Sequence, residues 1–359
     1  MTYRIAVLDG DDIGPEIVPV AVDVLTAALA AAGVGDVLLR RLPIGARSLT
    51  ELGSTFPART RDALPDMHGI VLGPIGHAAY PKDDPNAVNP HPIIRRELDL
   101  FANHRPVRSY PGVRALHDDV DMLVLRENNE GFQPDRNMYA GSGEFQPNED
   151  HAFSIRVITA KQSARIARAG FEAARRRRGK VTAIHKRTVF ALTDGVFLRE
   201  VRRVAAGFPD VALDDHQVDT AALHMVMRPA EFDVVLCTNM FGDILSDLAA
   251  GLVGGLGMAP GLSAGDRQAM AQATHGSAPD IAGTGTANPY AMIMSVQMLV
   301  DWLGHRHGDD RLLDVARRIK TAVERVITEG ENVTPDLGGT AGTAGMGAAI
   351  VRYCGDASR

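Results

Sequence analysis

Short apolar runs alternate along the chain with longer segments of helical periodicity. The runs are rich in β-branched residues and contain few polar positions, which is typical of strands buried on both faces. Strands are expected at Ile5–Leu8, Ile70–Gly73, Met122–Leu125, Ile155–Ile158, Val181–Ile184 and Asp233–Cys237. Helices are expected at Pro15–Ala32, Ala160–Arg178, Thr193–Ala206, Gly242–Ala250, Asn288–Trp302 and Leu312–Thr328. This alternation predicts an α/β fold with a largely parallel sheet.

The helix expected at Ala160–Arg178 has the clearest boundaries. Thr159 and Gln162 form a capping-box pattern at its start, and Gly179 is a natural stop. The arginines Arg175–Arg178 place cations in the last turn, where they complement the helix dipole. A nucleic-acid site is disfavoured, because no aromatic residues are interleaved with these arginines.

Length and composition narrow the class of protein. The 359 residues suffice for two domains, and a net charge of −6 argues against non-specific binding to nucleic acid or an anionic membrane. The uncharged stretch 248–265 contains six glycines and Pro260, so it is expected to form loops rather than a membrane helix. Cys237 and Cys354 are too few for a disulfide framework, which favours a cytoplasmic location.

Two acidic residues follow the buried run at Asp233–Cys237. Asp243 and Asp247 are four residues apart on the expected helix, so their carboxylates project from one face. Such a pair suits a hard divalent cation, Mg²⁺ or Mn²⁺, although acids in a first turn also favour the helix dipole. Spacing alone leaves both interpretations open. Asp219 is a candidate third ligand.

Three arginines are candidates for binding carboxylates. Arg95 and Arg105 flank the segment Glu97–Asn103, and Arg126 directly follows the run at Met122–Leu125. Loops at the carboxyl ends of parallel strands bind ligands in open α/β sheets, and arginine binds carboxylates in bidentate fashion. Taken singly, each arginine is more often a surface residue.

A glycine-rich segment, His275–Pro289, leads into an expected helix. Such a loop allows close approach of a nucleotide to the backbone, and an acid within it can accept hydrogen bonds from ribose hydroxyls. The segment lacks the GxGxxG pattern, and glycine-rich loops are mostly ordinary turns.

These segments are parts of a longer ordered series of motifs. The series also includes Gly10–Glu16, Arg95–Pro106, Arg126–Asn128, His185-Lys186, His216–Asp219, Asn239–Asp247 and Pro335–Thr343. Together they resemble the isocitrate/3-isopropylmalate dehydrogenase family of metal-dependent β-decarboxylating dehydrogenases, which includes homoisocitrate and tartrate/D-malate dehydrogenases. The resemblance covers nearly the whole chain.

The resemblance implies an architecture and an assembly. We expect a two-domain α/β sandwich with a largely parallel central sheet. A large cofactor-binding domain would comprise residues 1–100 and 258–359. Residues 101–257 would form a small domain with the dimer interface and the metal and substrate residues. A homodimer with shared active sites is expected.

The resemblance also implies roles for individual residues. Arg95, Arg105 and Arg126 correspond to the arginines that hold the carboxylates of a small dicarboxylic acid substrate. Asp243, Asp247 and Asp219 of the partner subunit correspond to the Mg²⁺ or Mn²⁺ ligands. Lys186 of the partner subunit corresponds to the base that takes the 2-hydroxyl proton, so Lys186 and Asp219 are the expected catalytic pair. The adenosine-binding loop would comprise His275, Gly276, Ser277, Ala278, Asp280, Ile281 and Asn288. The pair Asp280-Ile281 resembles that of NAD users, since a carboxylate repels a 2′-phosphate.

The chain departs from the family pattern at its expected proton donor and near its substrate arginine. Gln133 stands where the family has a tyrosine that helps to protonate the enolate, and Tyr139 is a hypothetical substitute. His91, about one helical turn before Arg95, favours a polar substituent on the substrate over an isopropyl group, unless it points to solvent.

Two further departures lie near the expected nicotinamide, where Thr188 replaces an asparagine and Gln272 a glutamate. In the N-terminal motif, Asp12 replaces a glycine.

The expected function is NAD-dependent oxidative decarboxylation of a malate-type 2-hydroxy dicarboxylic acid. One alternative is a tartrate/D-malate-type enzyme, and another is oxidation without decarboxylation. A catalytically silent binding subunit is disfavoured, because the metal and base residues are retained.

Overall fold

A computed structural model describes residues 1–356, which divide into two compact units. Unit 1 consists of residues 1–100, 109–118 and 253 onward, and unit 2 consists of residues 101–108 and 119–252. The chain therefore leaves unit 1 and returns to it twice. The expected boundaries, 1–100 plus 258–359 and 101–257, differ from these units at residues 109–118 and 253–257. The assignment of cofactor binding to one part of the chain, and of the dimer interface and the metal and substrate residues to the other, stays a prediction.

The helices and strands are numbered in chain order. The strands are β1 (Tyr3–Leu8), β2 (Val37–Arg41), β3 (Gly69–Leu72), β4 (Ala102–Arg108), β5 (Asp121–Glu127), β6 (Glu144–Asn148), β7 (His151–Ser154), β8 (Lys180–His185), β9 (Ala212–Gln217), β10 (Val234–Cys237), β11 (Leu262–Ala264) and β12 (Ala269–Ala271). The helices are α1 (Gly14–Ala31), α2 (Gly45–Leu52), α3 (Ala58–Arg61), α4 (Pro90–Glu97), α5 (Ala160–Arg175), α6 (Thr193–Ala205), α7 (Val218–Met227), α8 (Asn239–Leu252), α9 (Tyr290–His307), α10 (Asp310–Glu329) and α11 (Thr343–Asp356).

In unit 1 the strands lie in the order β2-β1-β3-β12-β11. Neighbouring strands run parallel except β11 and β12, which are antiparallel. Helices α1, α9, α10 and α11 pack against one another. By length and composition α1 is apolar enough to cross a membrane, but its apolar face is buried in this helical layer, as in the core helix of a folded unit.

In unit 2 the strands lie in the order β4-β5-β10-β8-β9, and only β4 and β5 are antiparallel. Helices α5 and α6 pack on this sheet through a core that includes Phe171, Phe197 and Leu236. The register pairs Cys237, the last residue of β10, with Arg126 and with Ile184. The residues that follow β5, β8 and β10 therefore leave the sheet at one edge, where ligands bind in α/β folds.

A separate two-stranded hairpin of unit 2, formed by β6 and β7, has no buried residue. Phe145 and Phe153 stack across it with ring centres 5.2 Å apart, and each side chain is about half exposed.

The predicted α/β fold with a largely parallel sheet is confirmed. The side chain of Thr159 caps α5 by accepting a hydrogen bond from Gln162 N, as expected. The strand expected at Ile155–Ile158 is wrong, because this segment pairs only through an isolated bridge between Val157 and Gly131. The N–H of Ile155 donates to the carbonyl of Gly143, and the carbonyl of Ile155 accepts from Nδ2 of Asn137 at 2.6 Å.

The prediction for Arg175–Arg178 needs a correction. Helix α5 ends at Arg175, so the three later arginines lie beyond its last turn. Arg175 pairs with Asp210, while Arg177 pairs with Asp121 and Asp233. These ion pairs join the end of α5 to the neighbouring strands.

Candidate active site

Two buried arginines converge on the first turns of α8. Nη1 of Arg105 lies 3.1 Å from Oδ1 of Asp243 and 3.5 Å from Oδ1 of Asp247, and it donates to Oγ of Ser246 at 2.6 Å. Nη1 of Arg126 also binds Oδ1 of Asp243. Both guanidinium groups are about nine-tenths buried, whereas the two carboxylates are about half exposed.

Burial and mutual repulsion shape the charges of this cluster. Burial, followed by the nearby charge of Arg105, lowers the pKa of Arg126 to about 10. Burial raises the pKa of Asp247, and Arg105 partly opposes that rise. The cluster therefore presents two cations in a weakly screened setting, which strengthens their attraction for an anionic ligand.

Asp243 and Asp247 project from one face of α8, and their hard oxygen atoms fit Mg²⁺ or Mn²⁺. Within residues 1–356, no group of three or more acidic, histidine or cysteine side chains is close enough to hold a metal ion. Asp219, the candidate third ligand, therefore does not join Asp243 and Asp247 within the described chain. The two carboxylates fit the cation as part of a ligand set.

Lys186 and Asp219 form a second pair. Nζ of Lys186 lies 2.8 Å from Oδ2 of Asp219. The hydrogen bond from this ammonium lowers the pKa of Asp219. Lys186 directly follows β8, and Asp219 lies in the first turn of α7, which follows β9. Thr188 strengthens the same connection, since its hydroxyl donates to Oε1 of Gln217 at 2.6 Å.

Gln133 takes part in a hydrogen-bond network with Arg126. Nε2 of Gln133 donates to Oδ1 of Asn239 at 3.1 Å, and Nη2 of Arg126 donates to the same oxygen at 2.8 Å. Gln133 therefore lies beside a candidate substrate arginine, and its predicted role in substrate binding stays a prediction. Tyr139, the hypothetical substitute proton donor, is fully exposed in the single chain.

Gly242 allows α8 to approach β5 closely. A Cβ atom at this position would lie 2.7 Å from Cβ and 2.8 Å from Cγ of Arg126. The stem of Arg126 thus packs directly on the backbone of the helix that carries Asp243 and Asp247.

His91 and Arg95 lie four residues apart on α4 in unit 1, so they share one helix face. Both are partly buried, and Asn89 caps the helix by accepting from His91 N at 3.1 Å. The partial burial of His91 disfavours an orientation entirely into solvent.

Unit 1 contains a cavity of about 510 Å³ formed largely by the glycine-rich segment. Its lining comprises Ile13, Leu256, Gly257, His275, Gly276, Ala278, Ile281, Thr286, Ala287, Asn288, Pro335 and Asp336. Five of the seven predicted cofactor residues line it, whereas Ser277 and Asp280 do not. Its volume and mostly apolar lining fit an adenine nucleoside.

Polar side chains lie at one end of the cavity, and hydrogen bonds hold the loop that forms one of its walls. Nδ2 of Asn288 donates to Oδ2 of Asp336 at 2.9 Å. The Glu16 carboxylate accepts from the backbone N–H groups of Gly283 at 2.5 Å and Gly285 at 2.9 Å, which fixes the loop before Asn288. The sequence does not assign Asp336 to the cofactor site, although this residue belongs to the motif Pro335–Thr343. Ile13, in the motif Gly10–Glu16, and Leu256 are also in the lining without such an assignment, because an apolar side chain carries no signal of a ligand.

Comparison with known proteins agrees with this geometry. A family model described as isocitrate/isopropylmalate dehydrogenase matches residues 4–350. The chain is 37% identical over 361 residues to the 3-isopropylmalate dehydrogenase of Methanothermobacter thermautotrophicus, with 99% of both chains covered. It is 40% identical over 352 residues to the isocitrate/homoisocitrate dehydrogenase of Thermus thermophilus, with 98% of both chains covered.

A solved structure extends the similarity to the fold. The crystal structure of isocitrate dehydrogenase from Methylococcus capsulatus matches with a TM-score of 0.85 and 39% sequence identity, covering 99% of this chain and 100% of that chain. The chain therefore belongs to the isocitrate/isopropylmalate dehydrogenase family.

Proposed function

We propose that this protein catalyses the NAD-dependent oxidative decarboxylation of a malate-type 2-hydroxy dicarboxylic acid, with Mg²⁺ or Mn²⁺. The observation that carries the proposal is the convergence of Arg105 and Arg126 on Asp243 and Asp247. Guanidinium groups for substrate carboxylates lie there beside carboxylates for a cation, which is the arrangement that a chelating hydroxy acid requires.

The residues have distinct roles in this proposal. Arg105 and Arg126 bind the substrate carboxylates, with Arg95 as a third arginine. In its neutral amine form, Nζ of Lys186 takes the proton of the substrate 2-hydroxyl, and Asp219, which binds Lys186 in the structure, would complete the ligands of the cation. When bound, NAD⁺ accepts a hydride and the divalent cation acts as a Lewis acid.

Gln133 supports a second candidate reaction. An amide has no proton that is acidic enough to protonate an enolate carbon, and Gln133 occupies the position of the family tyrosine. Oxidation without decarboxylation is therefore the alternative that a specific residue favours. We place decarboxylation first because water can donate the proton to the carbon once CO₂ has left.

NAD is the preferred nucleotide in this proposal. The cavity of unit 1 accepts the adenosine portion, with Ile281 in its lining and Asp280 following Pro279 at the surface. A carboxylate accepts hydrogen bonds from the ribose hydroxyls of NAD but repels the 2′-phosphate of NADP.

A homodimer supplies the missing metal ligand. The side chains of Leu223, Val226 and Met227 on α7 and of Met240 and Ile244 on α8 are exposed in the single chain. Together with the stacked phenylalanines of the exposed β6–β7 hairpin, they form apolar surface that a second copy would cover. Asp219 and Lys186 of the partner subunit would then join Asp243 and Asp247. We place the enzyme in the cytoplasm, since its two cysteines are buried and unpaired.

The test measures NADH formation at 340 nm and CO₂ release in parallel, with Mn²⁺ present. The acids are 3-isopropylmalate, isocitrate, homoisocitrate, D-malate and tartrate. We expect equal amounts of NADH and CO₂ from one acid, and His91 favours an acid with a polar substituent. NADH without CO₂ would support simple oxidation. No turnover of any acid by protein that binds NAD and Mn²⁺ would contradict the proposal.

A further inference from the structure

Arg156 is a buried cation with no role in the proposed chemistry. It lies between β7 and α5, in the segment that was wrongly expected to form a strand, and its side chain is 7% exposed. Nη1 of Arg156 lies 2.7 Å from Oδ1 of Asp194, whose carboxylate is completely buried. A buried ion pair of this kind contributes little net stability to the fold, so stability alone does not account for its presence.

The second oxygen of Asp194 reaches the candidate catalytic lysine. Oδ2 of Asp194 accepts a hydrogen bond of 2.6 Å from the backbone N–H of Lys186. The carboxylate thus links Arg156 to the first residue after β8. The carbonyl of Lys186 in turn accepts from the N–H groups of Val189 and Phe190, which makes the segment a tight turn.

The guanidinium of Arg156 also contacts the end of β10. Nη2 of Arg156 donates to Oγ1 of Thr238 at 3.1 Å, and Nη1 donates to Oγ1 of Thr193 at 2.9 Å. Thr238 immediately precedes α8, which carries Asp243 and Asp247. The guanidinium of Arg156 therefore links the segment after β8, through Asp194, to the segment after β10, through Thr238.

Three phenylalanine rings surround this guanidinium. Its central carbon lies 4.7 Å from the ring centre of Phe190, 5.4 Å from that of Phe241 and 5.9 Å from that of Phe132. Phe190 belongs to the turn after β8, Phe241 to the first turn of α8, and Phe132 to the segment after β5 that contains Gln133. Each ring thus joins a different candidate site segment to the same cation.

We propose that Arg156 and Asp194 are positioning residues that fix the backbone of Lys186, which acts in the site shared with the partner subunit, to α8 and the Gln133 segment of its own chain. This inference rests on the proposed function for the role of Lys186. The planar guanidinium serves Asp194, Thr193 and Thr238 in fixed directions and stacks on aromatic rings, which a lysine ammonium cannot do. Small displacements of a reacting group lower kcat more than they weaken binding of the ground state.

Two variants test this inference. Asp194→Asn has one acceptor oxygen, which cannot occupy both the position of Oδ1 beside Arg156 and the position of Oδ2 beside the N–H of Lys186. Arg156→Lys keeps the charge but loses the directed contacts. For each variant we expect kcat to fall about 10- to 100-fold, while KM for the acid and for NAD changes less than about threefold.

The matched control is Arg177→Lys. Nε of Arg177 lies 2.8 Å from Oδ1 of the buried Asp233, but this pair is at the amino ends of β8 and β10 instead of their carboxyl ends. The unfolding temperature of each variant shows whether it is folded at the temperature of the assay. The Arg177→Lys control should keep the wild-type kcat.

Two readouts separate positioning from general destabilisation. In a Lys186→Ala background, Arg156→Lys should lower the residual rate no further, because the positioned group is gone. Hydrogen exchange of the peptide that contains Lys186–Phe190 should accelerate in Asp194→Asn, while exchange in α5 stays unchanged.

Wild-type kcat in both variants would overturn the inference, as would an equal loss of kcat in Arg177→Lys or an equal further loss in the Lys186→Ala background. If wild-type protein oxidises none of the acids, the proposed function fails. Hydrogen exchange still decides the positioning role in that case: faster exchange at Lys186–Phe190 supports it, and unchanged exchange overturns it.

Discussion

Lys186 and Asp219 lie 2.8 Å apart in the same chain, although they follow different strands and lie in different elements. The two remaining candidate metal ligands, Asp243 and Asp247, instead bind Arg105. Each chain thus carries two partial sets of site residues. Whether one set serves the other copy of the chain can be tested directly.

Mixed dimers should regain activity from two variants that are each inactive at a Mn²⁺ concentration that only just saturates wild type. Lys186→Ala leaves the arginine and α8 carboxylate set intact, and Asp247→Asn leaves Lys186 and Asp219 intact. With shared sites, a heterodimer of the two variants has one complete site. Random mixing should then restore about one quarter of wild-type activity, since half of the dimers are mixed and each has one working site.

Co-expression with two different affinity tags would isolate the mixed dimer for assay. Its kcat per dimer should be half that of wild type. Persistent inactivity of the purified heterodimer would show that each chain supplies its own lysine.

Loss of one α8 carboxylate should weaken cation binding. Asp247→Asn is expected to raise the Mn²⁺ concentration for half-maximal activity by about 100-fold, because the cation loses a charged oxygen ligand. Chelation by EDTA should abolish wild-type activity, and added Mn²⁺ should restore it. Asp23→Asn, on the exposed face of α1, is the control and should bind Mn²⁺ normally. Isothermal titration of the cation provides the check without turnover.

Nucleotide preference should respond to the charge beside the cavity of unit 1. Asp280→Lys combined with Ile281→Tyr is expected to shift the ratio of kcat/KM for NAD and NADP towards NADP by about 100-fold or more. The lysine pairs with the 2′-phosphate, and the removed carboxylate no longer repels it. Arg267→Lys, which conserves charge outside the cavity lining, should leave the ratio unchanged. An unaltered ratio in the double variant would place the ribose elsewhere.

Removal of the Gln133 donor should affect substrate binding more than turnover. Gln133→Met keeps the side-chain length but leaves Oδ1 of Asn239 with Arg126 as its remaining donor from this network. We expect KM for the acid to rise about fivefold, since a neutral hydrogen bond contributes about 1 kcal/mol. Gln146→Met on the exposed hairpin is the control for the substitution itself. An unchanged KM with a reduced kcat would show that Gln133 acts in the transition state of the reaction instead of in substrate binding.

Two buried glutamates should make folding stability depend on pH. Burial, the largest cause, raises the pKa of Glu127 and Glu130 from 4.5 to about 7. The folded protein therefore keeps protons that the unfolded chain releases, and this stabilisation is present below pH 4.5 and lost as the pH rises through 7. Glu127→Gln should remove its part of this dependence.

Urea unfolding from pH 5 to pH 8 checks this expectation. The free energy of unfolding of Glu127→Gln should increase relative to wild type as the pH rises across this range. Glu144→Gln on exposed β6 should follow wild type throughout. Parallel curves for wild type and Glu127→Gln would show that Glu127 titrates alike in the folded and unfolded chains.

The sequence predicts those parts of the fold that depend on local pattern. Strand β10 is a buried apolar run, and Thr159 caps α5 through a contact within one helical turn. The sequence does not predict strands β4 and β9, because their polar side chains interrupt the apolar run that marks a buried strand. Strand β9 is an edge strand paired only with β8, so burial does not require it to be apolar.

The candidate site also contains residues that the sequence predicts and residues that it does not. The spacing of Asp243 and Asp247 predicts a common helix face, and the structure shows both beside Arg105. Arg156 carries no such signal, because its partner Asp194 is 38 residues away and the contact exists only after folding. A single arginine in an apolar run is indistinguishable from a solvent-facing strand position.

The close approach of Gly242 to the stem of Arg126 has a consequence for the range of acids that the enzyme can accept. Because the arginine packs on bare helix backbone, its distance from the α8 carboxylates is set by main-chain packing and has little freedom to adjust. We therefore expect the site to select acids by the distance between the substrate carboxylate that binds Arg126 and the substrate hydroxyl that would bind the cation. Acids that keep the malate skeleton satisfy this separation whatever group they carry on carbon 3. Diversification of the substrate is then confined to that substituent, as in the family members named for isopropylmalate, isocitrate and homoisocitrate.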